Sequence, residues 1–121
     1  MSRFILSLST KIVADESVPA LRSAAEILRR DMAAVLTGGG SENAIVLARD
    51  EALGSQAWRM EVAEDAITLY HRDALGGVYG LLYLSEHALG LHPLWYWNDQ
   101  PVSSMPAVQV PCGVVESPAY A

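Results

Sequence analysis

The sequence predicts a single α/β domain of the α+β kind over residues 1–121: a mixed β-sheet covered by two helices, in the order ββ-α-β-ββ-α-tail. Three observations predict it. Two segments of helical periodicity are separated by extended runs; one of those runs is apolar without alternation and another alternates strictly; and 121 residues make about one ordinary domain with a single core.

The chain opens with FILSLS and KIVADES, two short β-like runs on either side of Ser9 and Thr10, which offer a turn. In SVPALRSAAEILRRDMAAVL, Leu21, Ala24, Ala25, Leu28, Met32 and Val35 recur at helical spacing, while Arg22, Glu26, Arg29 and Arg30 fall elsewhere. Ser17 is expected to cap this helix, with Pro19 in its first turn. TGGGSEN stops it, because a glycine triplet enters left-handed conformations without steric cost.

AIVLARD is apolar without alternation, the pattern of a strand buried on both faces. In WRMEVAEDAITLYHRD, Trp58, Met60 and Val62 alternate with Arg59 and Glu61, and Glu64-Asp65 connects them tightly to a second run from Ala66 to His71. That is a hairpin with one wetter face. ALGGVYGLLYLSEHALGL restores helical spacing through Leu75, Val78, Leu82 and Leu89, closed by Gly90. Residues 101–121 read as a Pro- and Ser-rich, linker-like tail around one short extended piece. Leu28, Met32, Val46 and Leu69 are expected to be fully buried between the first helix and the sheet.

Composition narrows the partners. A net charge of -6, with 8 basic against 14 acidic residues, repels phosphate backbones and anionic lipid, so neither nucleic acid nor a membrane is expected as a partner. With 51% hydrophobic and 18% charged residues, the chain is short of charge for a self-sufficient surface, and part of that surface is expected to be an interface. The single cysteine, Cys112, cannot form an intrachain disulfide, which suits a reducing compartment. The apolar run Phe4 to Leu8 is too short for a signal sequence, and a cytoplasmic location is expected, although a parent protein could be exported.

The motifs that could carry chemistry mostly do not. DALGGVYG follows a strand and opens a helix, where a phosphate-binding turn would sit, but Gly76, Gly77 and Gly80 are not in G-x-G-x-x-G order. With Gly76 and Gly80 on one helix face, close helix-to-sheet packing is the preferred reading. His71, His87 and His92 lack the spacing of a helical metal pair, so neither metal nor cofactor is expected. The acidic neighbours Asp15-Glu16, Asp50-Glu51 and Glu64-Asp65 do not make a general acid and base, and no catalytic residue is assigned.

The segment PLWYWNDQP is the densest aromatic stretch. Extended geometry sends Trp95 and Trp97 to one side and Tyr96 to the other, with Asn98 and Asp99 able to cap a turn. One small domain has trouble burying both sides, so Trp95, Tyr96, Trp97 and Asp99 are read as an interface, or a platform on which a sugar ring stacks, ahead of a place in the domain's own core.

The run ITLYHRDALGGVYGLLYLSEHALGLHPLWYWNDQPV resembles the end of the N-terminal domain of glycoside hydrolase family 115, the xylan α-glucuronidases. The matching positions are Gly77, Tyr79, Gly80, Leu81, Tyr83, Leu84, Ser85, Glu86, Gly90, Pro93, Trp95, Tyr96, Trp97, Asp99 and Pro101. Leu82 is one residue more than the family's spacing, and Asn98 and Gln100 replace its usual alanine and valine. IVADESVPALRSAAEILRRDM is similar to the first strand and helix of the same domain.

The resemblance implies an accessory domain that precedes a catalytic (β/α)8 barrel, braces it and shapes its surroundings, with the tail leading toward that barrel. By itself the chain is expected to hydrolyse nothing, since a glycosidase needs two carboxyl groups about 5 to 10 Å apart across the bond. The alternatives are a stand-alone module for carbohydrate or another small ligand, built on Trp95 and Trp97, and a self-association module; an isolated copy is expected to cover its aromatic patch by forming a homodimer.

Overall fold

The structure is a computed structural model, and it describes residues 2–40, 42–90 and 104–117. Strands β1 (Arg3–Leu6) and β2 (Lys11–Val13) precede helix α1 (Pro19–Val35). Strand β3 (Ala44–Arg49), the hairpin β4 (Trp58–Val62) and β5 (Ala66–His71), helix α2 (Ala74–Leu89), and strands β6 (Val108–Pro111) and β7 (Gly113–Glu116) follow. A five-stranded mixed sheet has the order β2-β3-β5-β4-β7, and β1 pairs with β6 in a separate two-stranded sheet.

The mixed character follows from the connections. Helix α1 carries the chain from β2 to β3 and the hairpin turn reverses it between β4 and β5, so β2, β3 and β5 run parallel while β4 and β7 are antiparallel to their neighbours. The hairpin closes with Ala63 N donating to Ala66 O at 2.9 Å across Glu64 and Asp65.

Register lines up two apolar rows on one face: Ile12, Ile45, Ile67 and Val62, then Leu47, Leu69, Met60 and Val115. Helix α2 lies against β4 and β5, and α1 packs beside it. Leu28, Met32 and Leu69 are buried in the resulting core, together with Phe4 and Leu6 of β1.

Val46 is not fully buried; Ile45 is. Side chains alternate along a strand, so once Ile45 and Leu47 face the helices, Val46 faces the other way. That other face carries no helix among the described residues, which also corrects the expectation that β3 is buried on both faces. Arg59 lies there over the Tyr70 ring, 4.6 Å from its centroid.

Two further expectations are corrected. Ser17 does not cap α1: the N-cap is Val18, with no side-chain cap, because the Ser17 hydroxyl donates to Asp15 Oδ1 at 2.5 Å. Pro19 does occupy the first turn. The tail contains two strands rather than one extended piece, and both are integrated: β6 pairs with β1 from Arg3↔Pro111 to Leu6↔Val108, and β7 forms a sheet edge on β4.

Polar bonds tie the elements together. Thr10 Oγ1 donates to Asn43 Oδ1 at 2.6 Å, and Asn43 Nδ2 donates to Ile5 O at 2.7 Å, so the turn after β1 is fastened to the start of β3. Arg29 donates to Ile12 O at 3.1 Å, holding α1 over β2.

Candidate functional site

Trp95, Tyr96, Trp97 and Asp99 lie outside the described residues. Gly76, Gly77 and Gly80 are buried on the inner side of α2. A Cβ added at Gly76 would stand 2.4 Å from Ala57 O, one at Gly77 2.6 Å from Leu21 Cδ2, and one at Gly80 2.5 Å from Leu69 Cδ1. Each glycine therefore marks a close approach, to the loop before β4, to α1 and to β5 respectively.

The opposite side of α2 is also apolar. Leu75, Tyr79 and Leu82 lie along it at i, i+4 and i+7, with Leu75 46% and Tyr79 38% exposed. The glycines take the inward side of the helix, because only a side without bulky atoms can come so close to its neighbours. The outward side of α1 is different: Arg22, Glu26, Arg29 and Arg30 are exposed there.

A cleft of about 320 Å³ opens at the carboxyl ends of β3 and β5, beside the amino ends of both helices. Its walls include Val18, Leu21 and Leu47, and its polar groups are Asp15, Arg49, His71, Arg72 and Asp73. In sheets with parallel strands, this end is where crossover loops and helix N-termini gather, and ligands commonly bind there. Sequence reasoning weighed His71 only as a metal ligand; its place at the end of a parallel strand, just before an Asp-capped helix, was the available signal.

Asp73 caps α2. Its carboxylate accepts from Gln56 N at 3.0 Å, Gly76 N at 2.9 Å and Ser55 Oγ at 3.3 Å. The backbone donors of Gln56 and Gly76 hold its pKa below the ordinary carboxylate value, against the opposing effect of burial. Asp15 is held low as well, by the Ser17 hydroxyl and then the Ser17 N–H. His71 is 7% exposed, and its Nδ1 lies 3.1 Å from Asp73 O.

Two other titratable groups are engaged elsewhere. Asp50 pairs with Arg59 at 3.2 Å, and His87 stacks on Tyr83 with ring centroids 4.0 Å apart. Among the described residues, no three His, Cys, Asp or Glu side chains are grouped so as to hold a metal ion. No helix of the described residues is long and apolar enough to cross a membrane.

No protein-family model and no curated protein matches the sequence at a significant level. Solved structures do match in fold. A family GH115 4-O-methyl-α-glucuronidase, BtGH115A, with specificity for decorated arabinogalactans, superposes with a TM-score of 0.75 at 22% identity, covering 93% of this chain and 18% of its own. The GH20 β-N-acetylhexosaminidase from Streptomyces coelicolor A3(2) gives a TM-score of 0.69 at 17% identity, over 95% of this chain and 23% of its own. The GH20 exo-β-N-acetylglucosaminidase from Vibrio harveyi gives 0.60 at 15% identity, over 98% and 17%. The chain spans less than a quarter of each of these structures, and its fold is that of a domain found within glycoside hydrolases of families GH115 and GH20.

Proposed function

We propose that this chain is a non-catalytic domain of a glycoside hydrolase of the family-115, α-glucuronidase type, which packs against a catalytic barrel, braces it and shapes its surroundings. The observation that carries this is α2. A helix with apolar residues on every side belongs between two bodies rather than at a surface. Its glycine side already lies on the sheet, leaving Leu75, Tyr79 and Leu82 for a second body. The recurrence of the fold as 17 to 23% of much longer glycosidase chains supports a large domain as that body.

Titration of neutral xylo-oligosaccharides into the chain, followed by calorimetry, tests this. A brace gives no saturable heat and releases no sugar from an α-glucuronide. Saturable binding would replace this proposal with a carbohydrate-binding module.

A further inference from the structure

We propose that the outer side of α2 is a self-association surface, through which two copies of the chain pair antiparallel about a twofold axis, with Arg72 of each copy on Glu86 of the other. This rests on the reading of that side as an interface, and it names a second copy as the occupant where no barrel covers it.

Leu75, Tyr79, Leu82 and Glu86 follow one another at i, i+4, i+7 and i+11, the spacing of a single helix face. Leu75 is 46% and Tyr79 38% exposed, Leu82 is partly buried and Glu86 is exposed. At 1.5 Å per residue the face runs about 16 Å along the helix, with three apolar side chains and then one acid. Arg72 stands exposed just before the helix. The face therefore has a cation at its amino end and an anion near its carboxyl end, and neither Arg72 nor Glu86 makes an ion pair among the described residues.

That order of charges is complementary to itself only when reversed. A twofold axis crossing α2 between Gly80 and Leu81 sets Tyr79 opposite the partner's Leu82, and Leu75 opposite the partner's Glu86. Arg72 then lies about one helical turn, roughly 5 Å, along the axis from the partner's Glu86, within the span of two long side chains. Symmetry forms both junctions at once. Parallel pairing would instead bring the two arginines together and the two glutamates together, and like charges oppose it.

The net charge of -6 does not prevent the pairing, because it is carried elsewhere. In α1 and α2 the acids Glu26, Asp31 and Glu86 are matched by Arg22, Arg29 and Arg30. Removing Leu75, Tyr79 and Leu82 from water drives association, while the exposed ion pairs, weak singly, set its direction.

The test is sedimentation equilibrium of the whole chain at low salt. One helix pair is a small interface, so association is read from micromolar to millimolar chain. A dimer is expected. Arg72→Glu and Glu86→Arg should each weaken it about fivefold or more, since each turns two attractive junctions into repulsive ones, and their exposed positions keep the fold intact. An equimolar mixture of the two variants should associate again, because every junction of the mixed pair holds one cation and one anion. Misfolding cannot produce that rescue. A wild-type chain that stays monomeric overturns the proposal, as do single variants that associate like wild type, or a mixture no tighter than either variant alone. A monomeric chain leaves the bracing role standing, whereas saturable heat with xylo-oligosaccharides removes the brace and leaves the dimer.

Discussion

Ser85 Oγ donates to Asp31 Oδ2 at 2.7 Å, and this bond joins α2 to α1 inside the core. Asp31 is 4% and Ser85 5% exposed, so neither has water to replace the other. Ser85→Ala should therefore cost about 1 to 3 kcal/mol, the penalty for removing one donor from a buried charged acceptor. Urea denaturation of the two proteins measures it. A loss below about 0.5 kcal/mol would mean that the other partners of the carboxylate, Arg30 at 3.5 Å from Asp31 Oδ1 among them, satisfy it without Ser85.

Helix α1 is legible in the sequence because its apolar positions repeat at a period that only a helix satisfies. Asp31 is not, although it shares the face of Leu28, Met32 and Val35. A polar residue on an apolar stripe implies a partner without saying where, and the partner is 54 positions away. The same distance problem hides β6 and β7. Val108 and Val110 alternate with Gln109, but four residues of alternation carry little information, and β1, which they require, is at the other end of the chain. In α2 the periodicity itself misleads: Leu75 and Leu82 lie at core-like spacing, yet three glycines decide which side meets the sheet. The cleft at His71 was obscured because its groups come from three separate segments that only the parallel strand order brings together.

Gly76 and Gly80 should differ in their tolerance of alanine. At Gly76 the added methyl would meet Ala57 O at 2.4 Å, a backbone atom that cannot swing away. At Gly80 it would meet the tip of Leu69 at 2.5 Å, which can change rotamer. Overpacking costs about 1 to 3 kcal/mol, partly offset by up to about 1 kcal/mol of helix propensity gained. Gly76→Ala is expected to lie at the upper end and Gly80→Ala near or below 1 kcal/mol. Thermal melts that reverse this order would show that the loop at Ala57 yields more easily than the core.

Alternation in β3 makes a paired test. Ile45 is fully buried against the helices, so Ile45→Ala should cost about 2 to 5 kcal/mol, as should Leu28→Ala across the same core. Val46→Ala, on the open face, should cost about 1 kcal/mol or less. Equal losses at Ile45 and Val46 would indicate that another layer covers the open face in solution.

Asp73 gives a pH dependence whose sign is fixed. Its pKa is lowered in the folded protein, chiefly by the N–H of Gln56 and next by that of Gly76. An unfolded aspartate titrates near 3.9. A carboxyl that binds its proton less readily when folded stabilises the fold above the unfolded value, and this contribution fades as pH falls through the lower folded value. At neutral pH, Asp73→Ala should cost about 0.5 to 2 kcal/mol through loss of the α2 cap. Gln56 adds to the reason, since it is held at φ 63°, a left-handed conformation that its bond to Asp73 Oδ2 helps to fix. The stability gap between wild type and Asp73→Ala should thus be constant from about pH 7 to 5 and narrow below about pH 4. Denaturant midpoints across that range measure the gap, and a gap that widens on acidification would mean that the cap acts through its protonated form.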